Sequence, residues 1–153
     1  MLITAQFTLE QPVHLNPSYD HAVIIGSGIA GLTAARVLSD FFNQVTIVER
    51  DRLESGNDYR QGVPQGRHAH TLMPRGQSIL EQLFPSLLAE MATEGAMQIN
   101  AQRDIAYFQN GRWQTPQRRT TSIASSRPLL EGIIRRRVMA LPNVSLITSC
   151  RVD

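Results

Sequence analysis

The chain has 153 residues, of which 42% are hydrophobic and 18% are charged, and its formal net charge is +2. This balance is typical of a folded domain and disfavours an intrinsically disordered chain, which combines low hydrophobicity with high net charge. There is one cysteine, Cys150, so an internal disulfide framework and a paired-cysteine redox site are excluded. No apolar run reaches about 18 residues, so no transmembrane segment is expected. The N-terminus lacks the features of a secretory signal, and we expect a cytoplasmic protein.

The basic residues are all arginine, and they are unevenly distributed. Residues 1–102 hold six arginines and ten acidic residues, a net charge of −4, whereas residues 103–153 hold nine arginines and three acidic residues, a net charge of +6. A basic half can bind nucleic acid or an acidic membrane surface, can be a solvated face, or can direct arginines at the phosphates of a cofactor. No nucleic-acid-binding motif accompanies the charge, so nucleic acid is not expected as a partner.

The first part of the chain predicts a strand, a helix and a second strand. Residues 1–20 lack a hydrophobic period and are interpreted as a leader. The β-branched run at residues 21–25 predicts a buried strand, residues 29–42 a helix with one broad apolar face, and residues 45–48 a second strand. Asn43 is predicted to end the helix in the left-handed conformation. Together these elements predict a βαβ unit with parallel strands.

The middle of the chain begins with a long polar loop at residues 50–70, a length that is usually functional or disordered in a compact domain. Pro74 predicts the start of a helix. Pro85 ends or restarts that helix, and a second helical stretch runs to about Met91.

The last third predicts a hairpin, a helix and a third strand. Residues 103–115 form the hairpin, because aromatic residues flank an Asn-Gly pair, the strongest two-residue turn signal. Residues 115–126 are rich in Thr, Ser and Gln and are interpreted as a loop. Residues 128–141 carry apolar residues on one side and predict a helix, and residues 144–148 predict the third strand.

The motif that carries chemistry is a GxGxxG run that follows a predicted strand and opens a predicted helix, the context that this motif requires. Its first glycine permits a sharp turn, its second lets a pyrophosphate approach the backbone, and its third lets the helix lie close to the strand. Backbone N–H groups at the helix start would then face the phosphates. All six residues are therefore candidate cofactor-binding residues: Gly26, Ser27, Gly28, Ile29, Ala30 and Gly31.

Glu49 follows Gly26 by 23 residues and ends the second predicted strand. An acidic residue there can accept hydrogen bonds from ribose hydroxyls, and it would repel a 2′-phosphate, so NADP is not expected at this site. The alternative is a plain βαβ core with a glycine-rich turn and a surface glutamate.

Several segments resemble FAD-dependent monooxygenases, a family that includes aromatic hydroxylases, related halogenases and polyprenyl reductases. The stretch from Gly31 through the Glu49-Arg50 pair resembles the flavoprotein form of the glycine fingerprint. Residues 60–70 (RQGVPQGRHAH) resemble the second segment of the family, and residues 126–131 (SRPLLE) resemble its Arg-x-x-Leu stretch. Residues 141–152 resemble its third strand, so the resemblance covers most of residues 21–153.

This resemblance implies an α/β, Rossmann-like FAD/NAD(P)-binding fold with a parallel sheet and a small β-hairpin insertion. In the family, a later Gly-Asp segment and a separate substrate-covering sheet domain follow the region that this chain covers. We therefore expect residues 21–153 to be the N-terminal portion of an incomplete FAD-binding domain. A missing C-terminal region or a second polypeptide would complete the site, and the chain alone would bind FAD weakly and lack turnover.

The resemblance also implies FAD as cofactor, NAD(P)H as co-substrate, and oxygen-dependent attack on a small organic substrate. No catalytic residue is assigned. Two other hypotheses stay open: the chain is part of an NAD-dependent dehydrogenase, or it is a non-catalytic dinucleotide-binding module. The lone Cys150, interpreted as a small apolar residue at a strand end, argues against the disulfide-reductase branch of flavoproteins.

Further candidate cofactor-binding residues are mostly arginines. Arg127 is predicted at a helix N-terminus, where a cation is unfavourable and an anionic or hydroxyl-rich ligand would offset the cost; the resemblance places it beside the dinucleotide part of FAD. Arg60 and Arg67 are each either pyrophosphate ligands or solvent-facing side chains. Arg50 and Val152 are included because they fall in the resembling segments.

Two further groups invite a functional reading. His68 and His70 are two residues apart, but no third ligand lies at metal spacing, so no metal site is expected and a histidine near the flavin or hydrogen-bonded within its loop is favoured. Residues 135–137 are three consecutive arginines, interpreted as a solvated face, with an acidic partner or membrane surface as the alternative.

Overall fold

The computed structural model describes residues 19–53, 66, 68–115 and 120–152. Its strands are β1 (Tyr19–Ile25), β2 (Phe42–Val48), β3 (Ala69–Leu72), β4 (Met97–Asn100), β5 (Tyr107–Gln109), β6 (Arg112–Gln114), β7 (Thr121–Ser126) and β8 (Val144–Ile147). Its helices are α1 (Ile29–Leu38), α2 (Pro74–Leu83), α3 (Leu87–Thr93), α4 (Ala101–Asp104) and α5 (Arg127–Met139). None of the helices in these ranges is long and apolar enough to cross a membrane.

Strands β1, β2 and β8 form a parallel sheet in the order β1-β2-β8. Ala22 pairs with Val45, which in turn pairs with Val144, so one row of apolar side chains crosses all three strands. Helix α1 connects β1 to β2, which is the predicted βαβ unit. The predicted α/β, Rossmann-like fold with a parallel sheet is confirmed.

Helix α5 lies at the centre of the hydrophobic core. It packs against α1 and β8 on the parallel sheet and against β7 and α3 on the other part of the molecule. Its residues Ile133 and Ile134 are fully buried, as are Leu32 of α1 and Ile47 of β2. Burying each such side chain stabilises the folded chain by about 1.5–3 kcal/mol. Because α5 contacts elements of both parts of the fold, it joins them into one core.

A second sheet is antiparallel, in the order β3-β7-β4. Its central strand β7 covers residues 121–126, so the prediction that residues 115–126 form a loop is wrong there, while residues 116–119 lie outside the described residues. The polar sequence TSIASS does not predict a strand, because apolar and polar residues do not clearly alternate along it. Pairing with β3 and β4 on its two sides satisfies its backbone groups instead, and Ser122 and Ile123 are buried.

The end of α1 also differs from the prediction. The helix ends at Leu38 and its C-cap, Ser39, is right-handed with φ −60°, while Asn43 lies in β2. A left-handed Asn43 is not needed, because another asparagine binds the carbonyl groups near this helix end. The Nδ2 of Asn143 donates to the backbone oxygens of Ser39 and Phe42, at 2.9 Å in each case.

The predicted hairpin is present as β5 and β6, which flank Asn110 and Gly111, but its predicted start is wrong, because residues 103 and 104 belong to helix α4. Both turn residues have positive φ, 54° and 76°, which is the geometry that favours Asn-Gly in two-residue hairpin turns. At the start of the described chain, β1 begins at Tyr19, two residues earlier than predicted. The rest of the interpreted leader, residues 1–18, lies outside the described residues.

Candidate functional site

The glycine-rich turn is anchored to the second strand at its first glycine. Gly26 follows β1 with φ 94°, a backbone conformation that side-chain-bearing residues rarely adopt. Its N–H donates to the backbone oxygen of Val48 at 2.7 Å, so the turn is fixed to the carboxyl end of β2. The predicted role of Gly26 in a sharp turn agrees with this geometry.

The third glycine lets helix α1 approach the strand closely. A Cβ atom on Gly31 would lie 1.9 Å from the backbone oxygen of Gly26, a distance that no side chain can occupy. Gly28, in extended conformation, is the N-cap of α1, and its oxygen accepts the N–H of Leu32 at 2.9 Å. The N–H groups at the start of a helix have no intrahelical acceptors and lie at the positive end of its dipole, an arrangement that favours anions.

Ser27 and Glu49 join the turn to the end of β2 through a buried carboxylate. The Oε2 atom of Glu49 accepts two hydrogen bonds from Ser27, at 2.7 Å from its backbone N–H and 2.6 Å from its hydroxyl. The Oε1 atom accepts the N–H of Asp51 at 3.0 Å. Ser27 is 0% exposed and Glu49 is 5% exposed. Hydrogen bonds to an ionised acceptor are strong, so this carboxylate is held in a fixed orientation.

The chain after β8 reaches the same edge of the sheet. The N–H of Cys150 donates to the backbone oxygen of Glu49 at 3.0 Å, and the N–H of Ser149 donates to that of Asp51 at 3.2 Å. Val152, two residues further on, is half exposed. The structure therefore brings together the glycine turn, Glu49 and residues 149–152 at the carboxyl ends of parallel strands, where ligands bind in open α/β sheets.

The predicted arginines are placed differently. Arg50 follows β2, and its side chain is largely exposed with Nε 3.8 Å from Asp51. Arg60 and Arg67 lie outside the described residues, so their roles stay predictions.

Arg127 is the first residue of α5 and forms an ion pair within its own helix. Its Nε lies 3.5 Å from Oε2 of Glu131, and Arg135 approaches Oε1 of the same carboxylate at 3.1 Å. Glu131 therefore supplies the negative charge that we had expected a ligand to supply at this helix start. The role of Arg127 in cofactor binding stays a prediction, but its position at the helix N-terminus no longer requires a bound anion.

The interpretation of residues 135–137 as a solvated face is wrong for most of that run. Arg136 and Arg137 bind Glu90 of α3, and Arg136 also contacts Glu94. Burial acts to raise the pKa of Glu90, but hydrogen bonds from the two arginines outweigh it and lower that pKa below its usual value. The Nε atom of Arg135 is buried and has no hydrogen-bond partner among the residues that the structure describes. The arginine run therefore joins α5 to α3.

Of the two histidines, His70 has a hydrogen-bonded ring, but it lies in strand β3 and not in the loop predicted over residues 50–70. The Nδ1 atom of His70 lies 2.8 Å from the backbone oxygen of His68, so the ring donates locally. Among the described residues, no group of three or more His, Cys, Asp or Glu side chains is arranged to hold a metal ion.

Sequence reasoning missed two features of the site. It assigned Ser27 to the cofactor, whereas the structure buries its hydroxyl against Glu49. It also did not identify Glu131. The signal was present in the sequence, because Glu131 lies four residues after Arg127, the spacing of an ion pair within a helix.

Known proteins are similar to this chain in sequence over a short segment and over most of its length. Residues 21–58, which contain the glycine turn and Glu49, match the family model described as pyridine nucleotide-disulphide oxidoreductase. Protein Rv3254 of Mycobacterium tuberculosis is 44% identical over 137 residues, an alignment that covers 86% of this chain and 29% of the relative.

Solved structures share the fold at lower identity. PqsL of Pseudomonas aeruginosa, described as a probable FAD-dependent monooxygenase, has a TM-score of 0.61 at 20% identity over 88% of this chain and 34% of its own. The p-nitrophenol 4-monooxygenase PnpA of Pseudomonas putida has a TM-score of 0.60 at 20% identity over 85% of this chain and 32% of its own. The resemblance to FAD-dependent monooxygenases is confirmed at the level of fold, and the chain spans about a third of the length of these proteins.

Proposed function

We propose that this chain binds the adenosine diphosphate part of FAD and forms the nucleotide-binding part of an FAD-dependent oxidoreductase. One observation carries the proposal. The glycine turn, which has no room for a Cβ at Gly31, lies beside a carboxylate that three N–H or O–H donors hold at the end of β2. These residues suit two neighbouring groups of the ligand, because helix N–H groups attract a pyrophosphate and a carboxylate accepts ribose hydroxyls.

The residues of the chain would bind and orient the cofactor, and FAD, when bound, would supply the redox chemistry. The N–H groups of Ile29 and Ala30, at the start of α1, would face the pyrophosphate. Glu49 would receive the ribose, and residues 150–152, which follow β8, would lie beside the adenosine because Cys150 is hydrogen-bonded to Glu49. The same carboxylate would repel a 2′-phosphate, which favours FAD over NADP at this site.

We further propose a monooxygenase-type reaction that uses NAD(P)H and oxygen on a small organic substrate. The support is the fold shared with PqsL and PnpA, whose names describe monooxygenases. Other polypeptide, in the same protein or in a partner, would complete the flavin site. The face of the parallel sheet opposite α1 supports this, because it exposes 60% of Val23 and 71% of Ile25 among the described residues, whereas parallel sheets are normally covered on both faces.

The test is a set of titrations of the purified chain with FAD, ADP, FMN and NAD, followed by calorimetry or flavin fluorescence. We expect FAD and ADP to bind and FMN, which lacks the adenosine half, to bind at least tenfold more weakly. NAD binding without FAD binding would favour the dehydrogenase alternative. A folded chain that binds none of the four ligands would favour a non-catalytic module, and either result would contradict the proposal.

A further inference from the structure

We infer that Ser27 is a positioning residue for ribose recognition, and that its hydroxyl acts through Glu49 without touching the cofactor. The inference rests on the proposed nucleotide site. It assigns a role to the one residue of the glycine run whose side chain is polar.

The burial of Ser27 argues against direct contact with a ligand. Its exposed fraction is 0%, so a bound molecule could reach the hydroxyl only if the turn rearranged. The hydroxyl instead donates to Oε2 of Glu49 at 2.6 Å, and the backbone N–H of the same residue donates to the same oxygen at 2.7 Å. Both donors of Ser27 therefore serve one carboxylate oxygen.

The arrangement of donors explains what the hydroxyl adds. The N–H groups of Ser27 and Asp51 come from the backbone and are present whatever side chain stands at position 27. The hydroxyl is the one side-chain donor among these three bonds, so a substitution can remove it alone. A glutamate that is already held in its binding orientation loses less conformational freedom when it binds a ribose, which raises affinity through preorganisation.

The inference predicts an effect confined to the ribose. Loss of the hydroxyl should weaken the contact between Glu49 and the ribose and leave the pyrophosphate contacts with the helix start unchanged. The comparison of ADP with 2′-deoxy-ADP measures this effect, because the two ligands differ only in the 2′-hydroxyl, one of the ribose hydroxyls that Glu49 would accept. A single hydrogen bond of this kind corresponds to about a three- to tenfold change in affinity.

The experiment measures the dissociation constants of ADP and 2′-deoxy-ADP for the wild-type chain, S27A and E49Q by calorimetry. The wild type should bind ADP about tenfold more tightly than 2′-deoxy-ADP. This ratio should fall to about threefold or less in S27A and E49Q. The ratio is insensitive to partial unfolding, because a smaller folded fraction lowers the apparent affinity for both ligands by the same factor.

A matched control is S122A, which removes another buried serine hydroxyl, in β7 of the antiparallel sheet. Its ratio should equal that of the wild type. If S27A does not fold, S27C provides the same comparison with a nearly isosteric side chain whose S–H is a weak donor.

The outcomes separate the two proposals. An unchanged ratio in S27A or S27C, with ADP binding intact in the wild type, would overturn this inference and leave the nucleotide site standing. A lower ratio in these variants supports it. A wild-type chain that binds neither ADP nor FAD would overturn the proposed function and this inference together.

Discussion

The parallel sheet β1-β2-β8 and the antiparallel sheet β3-β7-β4 both pack against helix α5, but their strands pair over different distances along the chain. In the parallel sheet, Ala22 pairs with Val45 through a single intervening helix. In the antiparallel sheet, Ala69 pairs with Ser126 across three helices, another strand and a hairpin. The parallel sheet carries the candidate site, and its paired strands β1 and β2 lie in one continuous stretch of sequence.

The two parts of the molecule also differ in how closely the backbone is approached at a helical glycine. At Gly31 a Cβ would meet the backbone oxygen of Gly26 at 1.9 Å, whereas at Gly76 in α2 it would meet Cδ1 of Leu72 at 2.9 Å. A backbone atom anchored in a strand end cannot move aside, but the end of a leucine side chain can. Substitution of Gly31, in the helix that packs on the parallel sheet, should therefore destabilise the folded chain much more than substitution of Gly76.

The largest expected effect comes from Gly31→Ala. The added methyl group would force α1 away from the glycine turn, so we expect a loss of about 4 kcal/mol in the free energy of unfolding together with loss of nucleotide binding. Gly76→Ala is the matched control. Its stability should stay within about 1 kcal/mol of wild type, because the helix preference for alanine offsets a small side-chain shift. Urea unfolding of both variants measures the difference, and equal losses would contradict the contrast.

The next effect concerns Glu131, which lies in the helix that the two sheets share. The carboxylate is 4% exposed between Arg127 and Arg135, so Glu131→Ala would leave partly buried arginines without their counterion. We expect a loss of about 3 kcal/mol, because breaking a buried ion pair uncovers the desolvation cost of the remaining charge. Glu131→Gln keeps the shape and an acceptor oxygen and should lose less. Denaturant unfolding of both variants checks this order, and a Glu131→Gln variant that is no more stable than Glu131→Ala would contradict it.

The parts of the fold that the sequence predicts well are those that local patterns determine. The GxGxxG run, the apolar face of α1 and the Asn-Gly hairpin are each encoded within about 15 residues, and the structure shows all three. The parallel order β1-β2-β8 follows once these elements are recognised.

The parts that could not be predicted depend on distant partners. Strand β7 is polar, and its backbone finds its partners in β3 and β4, which precede it by at least 20 residues. The end of α1 depends on Asn143, about 100 residues away. The bond between Ser27 and Glu49 also spans 22 residues, so the glycine motif could locate the site but not the function of its serine.

A smaller effect should appear at the ion pairs between α3 and α5. The pKa of Glu90 is lowered in the folded chain by Arg136 and Arg137, so its stabilising contribution is present above the unfolded value of about 4.5 and is lost as the pH falls through the lower folded value. Glu90→Gln should be less stable than wild type by about 1 kcal/mol near neutral pH. Thermal unfolding from pH 7 to pH 3 should show this gap closing on acidification, and a gap that widens would contradict the sign of the shift.

The smallest effect is expected in the hairpin. Trp113 is 72% exposed and contacts Phe108 edge-to-face at 5.4 Å between ring centres. Trp113→Ala should change the free energy of unfolding by less than about 0.5 kcal/mol and leave nucleotide binding unchanged, because little buried surface is lost. Calorimetric unfolding and an ADP titration measure both quantities. A loss of several kcal/mol would mean that the hairpin belongs to the cooperative core.

The most direct measurement of the central claim is an NMR titration of the ¹⁵N-labelled chain with ADP. We expect saturable shifts of the backbone amides from Gly26 to Gly31, of Glu49 and of Cys150 to Val152, while the amides of β5 and β6 stay in place. Shifts confined to the antiparallel sheet or the hairpin, or no saturable shift at millimolar ADP, would contradict a nucleotide site at the carboxyl edge of the parallel sheet.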